Sequence, residues 1–125
     1  MASGQLTGKR VLVVEDELLI AMDLADSLAA AGAEVVGPCH SLEDAKSAAA
    51  DEGIDAAILD VDLGGREVFP AADILVRRGI PFLFHSGRLD RAQLDSAFSR
   101  APICPKPMAA EQLIETVRSL VAVAA

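Results

Sequence analysis

The sequence predicts an α/β fold, a doubly wound parallel sheet of five strands in a (βα)5 arrangement, and three observations predict it. Short apolar runs alternate with longer segments of helical periodicity. The runs are continuous rather than alternating, as in strands covered on both faces, and five such pairs follow one another without a linker, repeat or low-complexity tract. At 125 residues and 52% apolar the chain suits one domain, residues 1–125, that buries a core without staples. That core is expected over roughly residues 9–122, behind a flexible leader at 1–8.

Lys9-Arg10 introduces Val11-Leu12-Val13-Val14, a β-branched run that reads as a buried parallel strand. From Glu17 to Ala31 the residues Leu18, Met22, Ala25, Leu28 and Ala29 recur at helical spacing, and Gly32 supplies the stop. A second strand spans Ala33 to Gly37. Ser41 is an N-cap, with Asp44 three residues on, for an Ala-rich helix to about Glu52. The alternation continues with a strand from Ala56 to Asp60, a helix from Phe69 to Arg78 and a strand from Pro81 to His85. Gln93 to Ser99 reads as a weak, short fourth helix, Ile103-Cys104 as a fifth strand, and Leu113, Ile114, Val117, Leu120 and Val121 as the inner face of a last helix.

A net charge of −8 repels polyanions, which argues against nucleic-acid and anionic-membrane partners, although a surface tuned for solubility explains it equally well. Cys39 and Cys104 have no metal spacing and sit in apolar stretches, as buried thiols do. No signal-type or membrane-spanning apolar run occurs, so a cytoplasmic protein is expected.

Ligands of such sheets bind beyond the carboxyl ends of the strands. Those ends carry Glu15-Asp16, Asp60, Ser86 and Lys106, converging on one rim. Three carboxylates crowded there repel one another unless a cation lies between them, and hard oxygen ligands suit Mg²⁺, or Mn²⁺ in its place. A carboxylate in the place of Asp60 can attack a phosphoryl donor to give an acyl phosphate, with Lys106 and the Ser86 hydroxyl paired to the transferring oxygens. Each residue also has an ordinary reading. Glu15 and Asp16 suit a helix N-terminus, Lys106 a surface, and Ser86 a turn.

With Glu15-Asp16, Asp60, Ser86 and Lys106-Pro107 in that order, the chain resembles the response-regulator receiver family over nearly its whole length. The resemblance implies a flavodoxin-like strand order 2-1-3-4-5, Asp60 as phosphoacceptor, Asp16 as a direct Mg²⁺ ligand, Glu15 acting through water, and the Asp62 backbone carbonyl as a further ligand. It implies Ser86 as a switch hydroxyl and a cis Lys106–Pro107 bond. It also implies a sensor histidine kinase or histidine phosphotransfer protein as donor, a downstream protein as target, and self-catalysed transfer and loss of the phosphoryl group rather than a classified enzyme activity. Pro81-Phe82-Leu83-Phe84-His85-Ser86-Gly87 resembles a variant subfamily, often free-standing, with a Pro-Phe-x-Phe-Ala-Thr-Gly-Tyr signature, from which His85, Ser86 and Arg88 depart. If the chain is the full protein, its output is protein contact or phosphoryl relay.

Ile103 stands where ordinary receivers carry a switching aromatic, and the chain has no Tyr or Trp. The loop after the fourth strand and the weak fourth helix are therefore expected to carry the change by ordering. His85 is expected to pack outward from its strand, with a pH or phosphate role as the alternative, and His40 to be structural. Arg88 and Asp62, two residues beyond Ser86 and Asp60, bear on access of water. Two other functions stay open: a phosphatase using Asp60 and Asp62 as an aspartate pair resembling that of haloacid-dehalogenase-type enzymes, and a receiver-shaped binding module that is never phosphorylated.

Overall fold

The computed structural model describes residues 4–51 and 53–124. Strands β1 (Arg10–Val14), β2 (Glu34–Cys39), β3 (Ala56–Asp60), β6 (Phe82–Ser86) and β7 (Ile103–Pro105) form one sheet in the order β2-β1-β3-β6-β7. Every pairing in it is parallel, so counting only its own strands the order is 2-1-3-4-5, as expected. A short antiparallel hairpin, β4 (Asp62–Leu63) and β5 (Arg66–Glu67), lies between β3 and the next helix.

The α-helices are α1 (Leu18–Ala30), α2 (Leu42–Ala49), α3 (Phe69–Arg78) and α4 (Ala110–Ala124). Alternation along the central strands explains the continuous apolar runs. Val11, Val13, Ala56, Ile58 and Leu83 face a core shared with Leu24 and Leu28 of α1 and Leu113 and Val117 of α4. Leu12, Val14, Ala57, Leu59 and Phe84 face the other core, with Ala45 of α2 and Leu75 of α3. Two-sided burial leaves no polar position in β1 after Arg10 or in β3 before Asp60, so Glu15 and Asp60 fall together at the carboxyl rim.

Local signals explain the boundaries. Gly32 stops α1 with φ +93, a conformation in which a Cβ would meet Thr7 Oγ1 at 2.7 Å. The Ser41 hydroxyl accepts the Asp44 N–H at 3.2 Å and opens α2. That helix ends at Ala49, short of the expected Glu52, which lies outside the described residues. Strand β2 runs to Cys39, past the expected Gly37. The leader is not free of the core: Leu6 is fully buried and its N–H donates to the Ala31 carbonyl at 2.8 Å.

The expected fourth helix is absent. Arg91–Gln93 and Ser96–Phe98 are single 3-10 turns instead. The Asp90 and Asp95 side chains take the Ala92 and Ala97 N–H groups at 3.0 and 2.9 Å, local bonds that compete with a continuous helix. The Arg91 guanidinium then staples the segment, donating to the carbonyls of Phe98, Ser99 and Ala101. Phe98 anchors it on the sheet, with its ring 5.6 Å from Phe69 and 5.8 Å from Phe84.

Arg91→Ala removes the staple while leaving both cores intact. Amide exchange at Leu94, Phe98, Ser99 and Ala101, whose N–H groups bond within this segment, should quicken at least tenfold while the midpoint of global unfolding stays nearly constant. Unchanged exchange there would mean that Phe98 alone holds the segment.

Candidate phosphoacceptor and cation site

At the rim Asp60 closes β3, the central strand, and is 6% exposed. Glu15, directly after β1, is 1% exposed. Its Oε2 accepts the Glu17 N–H at 3.1 Å and so covers a free donor at the start of α1. His40, expected to be structural, has Nδ1 2.9 Å from the Glu15 carbonyl oxygen, so that nitrogen carries the proton and fixes the Glu15 backbone. Asp16 is exposed and its Oδ2 accepts the Gly64 N–H at 3.0 Å, tying the hairpin to the rim. Gly64 and Gly65 hold φ +61 and +87 at that turn.

Lys106 reaches this group from beyond β7. Its Nζ lies 3.2 Å from Asp60 Oδ2, 3.1 Å from Glu15 Oε1 and 3.4 Å from Glu17 Oε1. The Glu15 Oε1 contact is an ion pair without hydrogen-bond geometry, and that buried oxygen has no hydrogen-bond partner. The Lys106–Pro107 bond is cis, as the resemblance implied, and so is Gly37–Pro38, which the sequence reading did not anticipate.

One ammonium does not offset these acids. Burial first, and then Glu15, push the Asp60 carboxyl up to about 8, against the opposing pull of Lys106. Despite its own burial, Lys106 is raised by Glu15 and Asp60. Glu15, Asp16 and Asp60 each offer an oxygen within 4.8 Å of the others. Oxygen donors, an unfilled buried oxygen and a proton held on Asp60 fit a hard divalent cation in this position.

The Ser86 oxygen, at the end of β6, accepts the Arg88 N–H at 3.2 Å, which leaves its O–H free to donate. The Asp62 carboxylate is exposed and turned into the hairpin, accepting the Gly65 N–H at 3.1 Å. As placed, it is not paired with Asp60 as an acid–base couple.

His85 does not pack outward as expected. Register pairing sets it beside Asp60, it is 3% exposed, and neither ring nitrogen has a partner. Burial first, and then Lys106, lower its pKa and so favour the neutral ring. Both cysteines are buried and free. Two contributors escaped the sequence reading: Glu17, which marked only the start of the first helix there, and the Gly64-Gly65 hairpin, whose only signal was the glycine pair.

No protein-family model matches the chain. The transcriptional regulatory protein PdtaR of Mycobacterium tuberculosis is 38% identical over 72 residues, 58% of this chain and 35% of that protein. The chain therefore matches about a third of the length of that relative. Among solved structures, SdrG from Sphingomonas melonis Fr1 is 38% identical, covering 97% of this chain and 98% of that one, with a TM-score of 0.75. A response regulator receiver protein from Sinorhizobium medicae WSM419 superposes with a TM-score of 0.83 at 21% identity, covering 94% and 97%. The non-phosphorylated HemR receiver domain from Leptospira biflexa gives 0.79 at 21% identity, covering 91% and 94%. The last two likenesses establish the fold, and SdrG extends the similarity of sequence along nearly the whole of both chains. On the shared sheet order and these likenesses together, the chain has the fold of response-regulator receiver domains and is similar in sequence to a transcriptional regulatory protein over 58% of its length.

Proposed function

We propose that this chain acts as a single receiver unit over residues 1–125, taking a phosphoryl group on Asp60 from a histidine kinase or a histidine phosphotransfer protein and signalling through phosphorylation-dependent contact with another protein. The observation that carries the reading is the position of Asp60, buried at the end of the central strand with Lys106 3.2 Å away and the Glu15 and Asp16 oxygens beside it.

In the proposed step an Asp60 carboxylate oxygen forms a bond to phosphorus while the bond from phosphorus to the donor atom breaks, and the donor departs with that electron pair. Lys106 pairs with one phosphoryl oxygen and the free Ser86 O–H donates to another. Asp16, Asp60 and the Asp62 carbonyl would hold Mg²⁺ or Mn²⁺, with Glu15 acting through water. When bound, the cation supplies positive charge to the carboxylates and to the transferring oxygens. Hydrolysis later returns the Asp60 carboxylate and phosphate, so the chain is a signalling protein rather than a classified enzyme.

Output is assigned to the stapled segment 91–101, whose Phe98 ring meets Phe69, Phe82 and Phe84, in place of an aromatic at Ile103. The Phe82-Leu83-Phe84 stretch supports membership of the variant Pro-Phe-x-Phe-Ala-Thr-Gly-Tyr subfamily. Among the described residues no helix is long and apolar enough to cross a membrane, which is compatible with action in the cytoplasm. The phosphatase reading lacks its acid, because Asp62 is turned into the hairpin.

Intact mass after incubation with acetyl phosphate tests the reading. One phosphoryl adduct is expected in the wild type with Mg²⁺, and none with chelator or in Asp60→Asn. A folded wild type that takes up no phosphoryl group would support a binding module instead.

The raised carboxyl of Asp60 gives a second check. Unfolded, Asp60 ionises near about 4, whereas folded and cation-free it keeps its proton to about 8. Between those values the native state binds the extra proton, so stability falls as pH rises through that window. Asp60→Asn removes this loss. Its melting temperature in metal-free buffer should exceed that of the wild type by more at pH 8 than at pH 5, and a gap that is constant with pH would contradict the shift.

A further inference from the structure

Glu17 occupies the N-cap of α1, where Ser, Thr, Asp or Asn would accept a backbone N–H of the first turn, yet its side chain makes no capping bond. It extends instead to Lys106 Nζ at 3.4 Å. It is not one of the three acids whose oxygens converge within 4.8 Å, and its side chain is 63% exposed while Glu15 and Asp60, the other partners of Lys106, are buried. The ammonium is thus shared between two carboxylates of the site and one from outside it.

We infer that Glu17 is a positioning residue that competes with the phosphoryl group for Lys106, weakening the hold of the site on that group. The inference rests on the phosphoacceptor reading. An ammonium has three donors and no more. Glu15 and Asp60 face two of them from inside the rim, and Glu17 faces Lys106 from the open side. A phosphoryl group on Asp60 presents new anionic oxygens to the same ammonium, and they must displace or share the Glu17 contact. Because Glu17 is largely exposed, its pair with Lys106 is screened, and the effect is one of tuning rather than of switching.

Beryllium fluoride with Mg²⁺, an analogue of the bound phosphoryl group, provides the probe, with affinity followed through backbone amide resonances of the full chain. Glu17→Gln should bind it roughly twofold to fivefold more tightly than the wild type. Glu17→Asp keeps the charge but shortens the reach, and should match the glutamine variant if contact with Lys106 is what matters. Asp23→Asn, which neutralises an acid six residues further on, within α1, should leave the affinity unchanged. Wild-type affinity in Glu17→Gln, or tightening in Glu17→Gln but not in Glu17→Asp, would overturn the inference, the latter by making it a field effect. A wild type that binds no beryllium fluoride at all would overturn the phosphoacceptor reading, and this inference with it.

Discussion

Two buried carboxylates, Glu15 and Asp60, share one ammonium, and the arrangement of the rim follows from that imbalance. Taking one charge out of water is costly, and taking two like charges out together is more so. Lys106 offsets part of the cost. The remainder appears as a proton retained on Asp60, whose carboxyl titrates at about 8. Under the proposed reading, a divalent cation held here would take over the role of the proton and leave the Asp60 oxygen ionised.

The fold produces this imbalance without special local structure. Strands β1 and β3 are adjacent and apolar from Val11 and Ala56 onward, so Glu15 and Asp60 emerge side by side at their carboxyl ends, and β7 delivers Lys106 from two strands away. The Glu15 carboxylate is further fixed by the N–H at the start of α1, and its backbone by His40. Asp16, through the Gly64 N–H, links the same rim to the hairpin, and Arg66 pairs that hairpin with Glu43 of α2 at 2.6 Å. Under the proposed reading, charge added at Asp60 would bear on the hairpin and on the stapled segment following Ser86. Neither belongs to the five-stranded sheet: the segment is anchored on it by Phe98 and stapled by Arg91, and the hairpin is tied to the rim through Asp16.

Much of this was legible in the sequence because burial leaves a strong trace. Val11 to Val14 could only be a strand covered on both faces, and once five such runs were placed, Asp60 and Lys106 fell at strand ends by counting. The fourth crossover was misread because Gln93 to Ser99 has helical composition, whereas the Asp90 and Asp95 side chains cap single turns, a tertiary choice made together with Arg91. Leu6 looked like part of a polar leader, and its burial depends on the return of the chain at Ala31. His85 sat at a position where composition alone suggested a polar residue facing away. Its burial follows from strand register beside Asp60, which a linear reading does not weigh. Glu17 was illegible for another reason: an acid at a helix start satisfies the macrodipole rule, and only the reach of Lys106 across 89 residues gives it a different partner.

Because the account turns on a proton exchanged for a cation, the most direct measurement is Mg²⁺ titration calorimetry near pH 7 in buffers of different ionisation enthalpy. The account predicts one Mg²⁺ per chain and release of most of one proton as it binds, with that release fading above pH 9 and absent in Asp60→Asn. Binding without proton release near pH 7 would show that Asp60 is already ionised at the rim, and the charge imbalance would then have to be resolved in some other way.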